Sequence, residues 1–327
     1  RPIGLPRDSD WQFTTEPVAP PADGGVLVRT LSLSLDPAMR GWMNEGKSYA
    51  APQPLNELMQ GGAAGEVVAS NAAGFQVGDK VVGPGGWQQF ASVDAAQARQ
   101  WHKVDTTHIA LSAYLGAVGM PGVTAWVGLM TIIEPKAGET LVVSAASGAV
   151  GSVVGQLAKQ LGCRVVGIAG GPRKCQAVVE EYGFDVCIDH RRHGDVKSLA
   201  AALKQACPQG IDGCFENVGG AILDAVLLRA NAFSRVALCG MIAGYNGQPI
   251  PLAAPQLLLV NRMKLQGFIV SDHMQHWPRA LKDLGALVAA GKLKYRETVA
   301  QGIEAAPEAF IGLLEGRNFG KQLVKLV

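Results

Sequence analysis

Hydrophobic and polar positions change their rhythm once along the chain, near Met120. Before it, apolar residues come in short runs. GGVLVRTLSLSLDP alternates until Asp36-Pro37 stops it, and GAAGEVVAS and VGDKVVGPGG follow between Gly- and Asn-containing turns. A period of two with this punctuation predicts short strands in a small barrel or sandwich. After Met120, buried-type runs alternate with helical stripes. ETLVVSAA predicts a strand, and 149–161 carries Val150, Val153, Val154, Leu157, Ala158 and Leu161 at helical spacing. CRVVGIAG, FDVCID, IDGCFENV, RVALCGMI and KLQGFIV continue the strands, with helices predicted over 174–182, 196–206 and 221–230. That alternation predicts an α/β fold with a doubly wound parallel sheet. The last segment, GKLKYRETVA through GKQLVKLV, reads strand, helix, strand. It either extends that sheet or returns to the first domain.

Composition narrows the function classes. With 327 residues, 48% of them hydrophobic, the chain can bury two cores. Its 29 basic and 27 acidic residues are scattered, so a nucleic-acid partner is not expected. Apolar runs such as 257–260 are too short for a bilayer, and RPIGLPRDSD shows no leader pattern. The six cysteines form no CxxC pair and sit in strand-like runs, which predicts reduced thiols and a cytoplasmic location.

Candidate chemistry begins at SAASGAVGSVVGQLAKQLG. Ala146, Gly148 and Gly151 fill the spacing of a dinucleotide turn, with Ala in place of the first Gly. Small residues there let backbone amides at a helix start approach a pyrophosphate; a tightly packed turn with no ligand is the competing reading. The second strand ends in GIAGGPRK. Glycines, among them Gly170, stand where an NAD site places an acid, and Arg173 and Lys174 follow. A missing carboxylate and two cations suit a 2′-phosphate, so NADP(H) is the expected cofactor. Zinc is not expected: no cysteine precedes Cys163, and His102 and His108 stand six apart without a ligand motif. Without a Lewis acid, hydride addition to an activated C=C bond needs least help, because a Tyr hydroxyl can bond and protonate the enolate. Tyr245, in CGMIAGYNG after the fifth strand of the second series, is the candidate; an ordinary loop Tyr is the alternative.

AASGAVGSVVGQLAKQLGCRVVGIAGG, FENVGG, CGMIAGYN, GRNFGKQLVKLV and LSLSLDPAMRGWM resemble the zinc-independent alkenal/one reductases of the medium-chain dehydrogenase/reductase superfamily. The resemblance covers essentially the whole chain. It implies a GroES-like β-barrel domain from 1–118 and 293–327, a Rossmann domain from 119–292, a site in the cleft joining them, and a homodimer. By motif, it implies that Ala149, Val150, Gly151 and Ser152 bind the pyrophosphate and that Lys174 takes the 2′-phosphate. Asn217 faces the nicotinamide, while Cys239, Gly240, Met241, Ile242, Tyr245 and Phe268, Ile269, Val270 line the groove that Asn318 closes. Tyr245 matches the Tyr placed by the substrate carbonyl. Where relatives often carry Tyr near the adenosine, this chain has His190, which can still bond a phosphate. The stretch YAAPQPLNELMQGG departs from the family's wording, and Tyr49 within it is a candidate pocket residue. The expected activity is NADPH-dependent reduction of enones or enals. A quinone oxidoreductase, or a nucleotide-binding protein without catalysis, remains the alternative on the same fold.

Overall fold

In the computed structural model, which describes residues 1–327, the first alternating run becomes β1 (Val26–Leu35). Val26, Val28 and Thr30 are buried, and a register shift against the next strand between Thr30 and Ser32 then brings Leu33 and Leu35 into the same core. The bulge keeps both halves of the strand packed. Its inward positions pass from even to odd numbers here, and an unbroken strand would turn Leu33 and Leu35 outward. After α1 (Ala38–Trp42) come β2 (Ala63–Ser70), β3 (Lys80–Gly83), β4 (Phe90–Val93) and β5 (His102–Lys103). The second rhythm follows as α2 (Met120–Val127), β6 (Thr140–Ser144), α3 (Gly151–Gln160), β7 (Arg164–Ala169), α4 (Pro172–Glu180) and β8 (Val186–Asp189). It continues as α5 (Val196–Ala206), β9 (Ile211–Glu216), α6 (Gly220–Leu227), β10 (Ala230–Leu238), α7 (Gln256–Val260), β11 (Lys264–Gly267) and α8 (Trp277–Ala289). β12 (Glu297–Gln301), α9 (Ala306–Leu314) and β13 (Lys321–Lys325) complete the elements.

The chain divides into two compact units, Arg1–Gly119 with Glu297–Val327, and Met120–Arg296. In the first, strands run β12-β13-β1-β2-β3-β5, with β4 also paired to β1. All pairs are antiparallel except β12 with β13. The C-terminal strand–helix–strand segment thus returns to the first unit. Trp11 and Trp87 stack at 5.9 Å, and Phe310 of α9 meets both edge-on at 6.1 Å, anchoring that returning helix to the core. Lys321, the first residue of β13, is buried and donates to the Leu35 carbonyl and to Asp36.

The second unit is a six-stranded parallel sheet in the order β11-β10-β9-β6-β7-β8. Every residue of β6 is buried, as expected for a strand covered by helices on both faces. The chain moves outward from β6 to β8 and then crosses back to β9 on the other side of β6. The carboxyl ends of β6 and β9 therefore flank a topological switch point, where a crevice opens in such sheets. α3 differs from its expected one-sided stripe. Gly151 through Ala158 are all buried, including Gln156, which is held by the Lys294 main chain through bonds of 2.8 Å in each direction. Leu161 lies past the helix end and is 37% exposed. The helix expected over 221–230 ends at Leu227, because Ala230 already pairs with Ile211 in the sheet. No helix is long and apolar enough to cross a membrane.

Candidate functional site

The β6–α3 turn is built around one carbonyl. Ala145 takes a left-handed backbone (φ 48°), and its oxygen accepts the Gly148 N–H at 2.8 Å. A Cβ at Gly151 would lie 2.5 Å from that oxygen, so this glycine is required by the turn itself. The packed-turn reading is therefore right about Gly151, yet packing also creates a site. With the helix pulled close, the amides of Ala149, Val150 and Gly151 precede the first helical hydrogen bonds, and Gly148, Ala149 and Val150 remain half-buried. Orphan amides at the positive end of a helix dipole favour an anion. Ser152, buried and bonded to Gly148, sits one residue deeper.

Past β7, Gly170 and Gly171 lead into α4. Gly171 has φ +97°, and its N–H donates to Asp189 Oδ1 at 2.7 Å, which ties the turn to the end of β8. The same carboxylate accepts the Arg191 N–H at 3.1 Å. Asp189 thereby folds the segment after β8 back over Gly170, where a Cβ would lie 3.0 Å from Arg191 Nε and 3.1 Å from His190 Nε2. Lys174 joins this group. Burial, and then the Arg191 charge, lower its ammonium from the usual lysine range. His190 is likewise lowered, by burial first and by Arg191 next, with Asp189 opposing. Two cations, Lys174 and Arg191, thus crowd together beside an imidazole held neutral, an arrangement that a polyanion suits. Sequence reading found Lys174 and His190 but missed Arg191, although HRR directly after a strand carries the signal. Arg173, the other cation read from the sequence, points into solvent.

At the switch point a different network forms. Glu216, the last residue of β9, is fully buried. Its Oε1 accepts the Ser144 hydroxyl at 2.8 Å and the N–H groups of Val218 and Gly219 at 2.6 and 2.9 Å. Burial pushes its carboxyl up, against the pull of these donors. Ser144 in turn accepts the Asn217 N–H at 2.7 Å, and its carbonyl accepts Asn217 Nδ2 at 2.8 Å. The main-chain carbonyl of Glu216 accepts the N–H groups of Cys239 and Gly240. Three strand ends, of β6, β9 and β10, are locked around one carboxyl. Tyr245 belongs to this group: its hydroxyl accepts the Met241 N–H at 3.4 Å, and a Cβ at Gly240 would lie 3.2 Å from it. Neither Glu216 nor Ser144 was singled out in the sequence; a lone acid inside an apolar strand was the available signal.

The second unit thus carries the turn residues 149–152, Gly170, Lys174 and His190, Asn217, and the loop from Cys239 to Tyr245. Met241 and Ile242 are half-buried on that loop. Phe268, just past β11, is buried with its ring edge-on to Phe215 at 6.1 Å, and Ile269 and Val270 follow it at half exposure. Tyr49 and Asn318 belong to the first unit. Tyr49 is 59% exposed, and Asn318 Nδ2 donates to the Gly320 carbonyl at 2.8 Å. No three His, Cys, Asp or Glu side chains gather as a metal ion requires, and His102 and His108 are both exposed, so a zinc does not fit the residues present.

Known proteins match along the whole chain. A family model described as "N-terminal domain of oxidoreductase" matches residues 1–102, and one described as "Zinc-binding dehydrogenase" matches 149–286. The NADPH-dependent curcumin reductase of Escherichia coli is 43% identical over 333 residues, covering 100% of this chain and 94% of that protein. The chain belongs to the medium-chain dehydrogenase/reductases. Within that superfamily it falls in the alkenal, prostaglandin and curcumin reductase group. The 2-alkenal reductase (NADP(+)-dependent) of Nicotiana tabacum is 41% identical, over 98% of this chain and 94% of its own. A crystal structure of CurA from Vibrio vulnificus in complex with NADPH superposes with a TM-score of 0.92 at 44% identity, covering 100% of this chain and 97% of that one. The fold is the one expected, a GroES-like antiparallel sheet with a six-stranded parallel Rossmann sheet. The family description mentions zinc, but this member lacks the ligands.

Proposed function

We propose that the chain catalyses NADPH-dependent reduction of the activated C=C bond of α,β-unsaturated ketones and aldehydes, without a metal. One observation carries this reading. Its likeness to a curcumin reductase and a 2-alkenal reductase, both NADP-dependent, runs through the entire chain and therefore includes the substrate side as well as the nucleotide turn. The cation cluster supports NADPH over NADH on physical grounds, since Lys174, His190 and Arg191 crowd together where an acid would hold a ribose hydroxyl.

Bound NADPH supplies the hydride that reaches the β-carbon. The chain's own groups do the rest. The amides of 149–151 and Ser152 hold the pyrophosphate, and Lys174, His190 and Arg191 clasp the 2′-phosphate beside Gly170. Asn217, held on two sides by Ser144, faces the nicotinamide. Cys239, Gly240, Met241 and Ile242 line the groove with the main chain of 268–270, and Asn318 is a further cofactor contact. Tyr245 turns its hydroxyl to the substrate carbonyl, stabilises the enolate oxygen and returns a proton, directly or through water. Tyr49 lines the substrate side. The chain works as a homodimer: β11 ends the parallel sheet with one hydrogen-bonding edge unpaired, and Leu259 and Val260 beside it are 81% and 59% exposed. Six free thiols suit a reducing cytoplasm. Incubating the protein with NADPH, then NADH, and a panel of small enones tests the activity. Saturated ketone formed with NADPH is expected; turnover of quinones with none of enones would replace the reading.

A further inference from the structure

Two of the six cysteines stand apart from the rest. Cys163, Cys207, Cys214 and Cys239 have thiols pushed up, first by burial, which makes them inert. Cys175 and Cys187 are half-buried on facing elements: Cys187 lies opposite Gly167 of β7, on the sheet face that Val178 of α4 covers, and Cys175 Sγ lies 3.9 Å from the Ala169 carbonyl oxygen, with the two thiols hydrogen-bonded to each other. One sits in α4 directly after Lys174, and the other in β8 two residues before Asp189. Their polarity is unequal. The Cys187 S–H bonded to Cys175 lowers the Cys175 thiol, while the same bond and burial push Cys187 up.

We propose that Cys175 and Cys187 are an oxidation site for hydroperoxides, closing to a disulfide that loosens the grip on the 2′-phosphate. The second half rests on the NADPH reading above. In the first step the Cys175 thiolate attacks a peroxide oxygen: an S–O bond forms, the O–O bond breaks, and the leaving oxygen takes a proton to become water. In the second, the Cys187 sulfur attacks the sulfenic sulfur: an S–S bond forms, the S–O bond breaks, and the released hydroxide takes the Cys187 proton. Two thiols lose two electrons, and hydrogen peroxide becomes two waters. Closing the bond shortens a hydrogen-bonded sulfur contact to about 2.0 Å. The elements that must yield are weakly tied. β8 is a four-residue edge strand bonded only to β7, and α4 starts from Gly171 without a side-chain cap. Both carry the cluster: α4 bears Lys174, and β8 ends in the Asp189 that holds Gly171 and Arg191.

The test oxidises the full-length protein with a small excess of hydrogen peroxide and then blocks free thiols. The expected result is a loss of two hydrogens mapped to a Cys175–Cys187 link, reversed by dithiothreitol. The Kd for NADPH, read by nicotinamide fluorescence, should rise about tenfold, the loss of one charge-assisted bond, with NADH binding unchanged. Cys175→Ser and Cys187→Ser should each bind NADPH normally and not respond to peroxide. Sulfinic acid at Cys175 with no link overturns the proposal, as does a link that leaves NADPH affinity unchanged. Both readouts are independent of turnover, so a protein that binds NADPH but reduces no enone would refute the activity and leave this site standing.

Discussion

The two ends of the second unit's ligand face hold charge in opposite ways. After β7 and β8, Lys174, Arg191 and the His190 imidazole crowd around Gly170 with a single carboxylate behind them, and the Arg191 charge opposes protonation of the other two. At the ends of β6, β9 and β10, one buried carboxyl is surrounded by donors, and every hydrogen bond is internal. The first end gathers positive charge; the second closes on its own donors. Selection by charge belongs to the first, and positioning by rigid geometry to the second. The first group lies on the edge strand β8 and on α4, whereas Asn217 and Tyr245 are tied by hydrogen bonds to the ends of the inner strands.

Substitutions can break this contrast, and the carboxyl network should show the largest effect. Glu216→Leu strands the Ser144 hydroxyl and two buried N–H groups, and should cost about 3–5 kcal/mol of stability in urea denaturation. A cost under about 1 kcal/mol would mean the network is not the scaffold described. Tyr245→Phe keeps the fold and should lower kcat by roughly a hundredfold while leaving NADPH KM within about twofold. An unchanged kcat would remove Tyr245 from the chemistry. At the cation end, Lys174→Ala should raise NADPH KM by about thirtyfold and leave NADH untouched, and Arg191→Ala should do the same by about tenfold. Equal losses with both nucleotides would contradict the phosphate assignment.

The smallest effect is in pH. Burial and Arg191 hold the His190 pKa below its unfolded value, so the folded apoprotein binds fewer protons than the unfolded chain. The stability this represents is full above about pH 6.5 and is lost as pH falls through the folded pKa. Thermal denaturation of His190→Gln without nucleotide should therefore be flatter below pH 6.5 than that of the parent. A steeper decline in the variant would reverse the sign of the argument.

Much of this was legible in the residues. The switch of rhythm at Met120 falls at the junction of the two units, and the apolar runs LVV and VVGIA announced strands covered on both faces. Lys174 was readable because it follows a strand end that lacks an acid. Three things were hidden, each set by tertiary contact. The full burial of α3 depends on Gln156 meeting the Lys294 main chain, which no local spacing encodes. Arg191 joins the cluster only because Asp189 folds its segment back. Glu216 gains its importance from Ser144, 72 residues away. The bulge in β1 was present as a parity change in the apolar positions, though alternation alone did not separate it from a strand that simply continues.

The central claim is that an NADPH-selective, metal-free site reduces conjugated alkenes. Its most direct test follows nicotinamide absorbance with a simple enone, first with NADPH and then with NADH, and identifies the product after extensive chelation. The account predicts rapid oxidation of NADPH, much slower use of NADH, a saturated ketone, and no loss on chelation. Tight NADPH binding with no turnover of any activated alkene would contradict it.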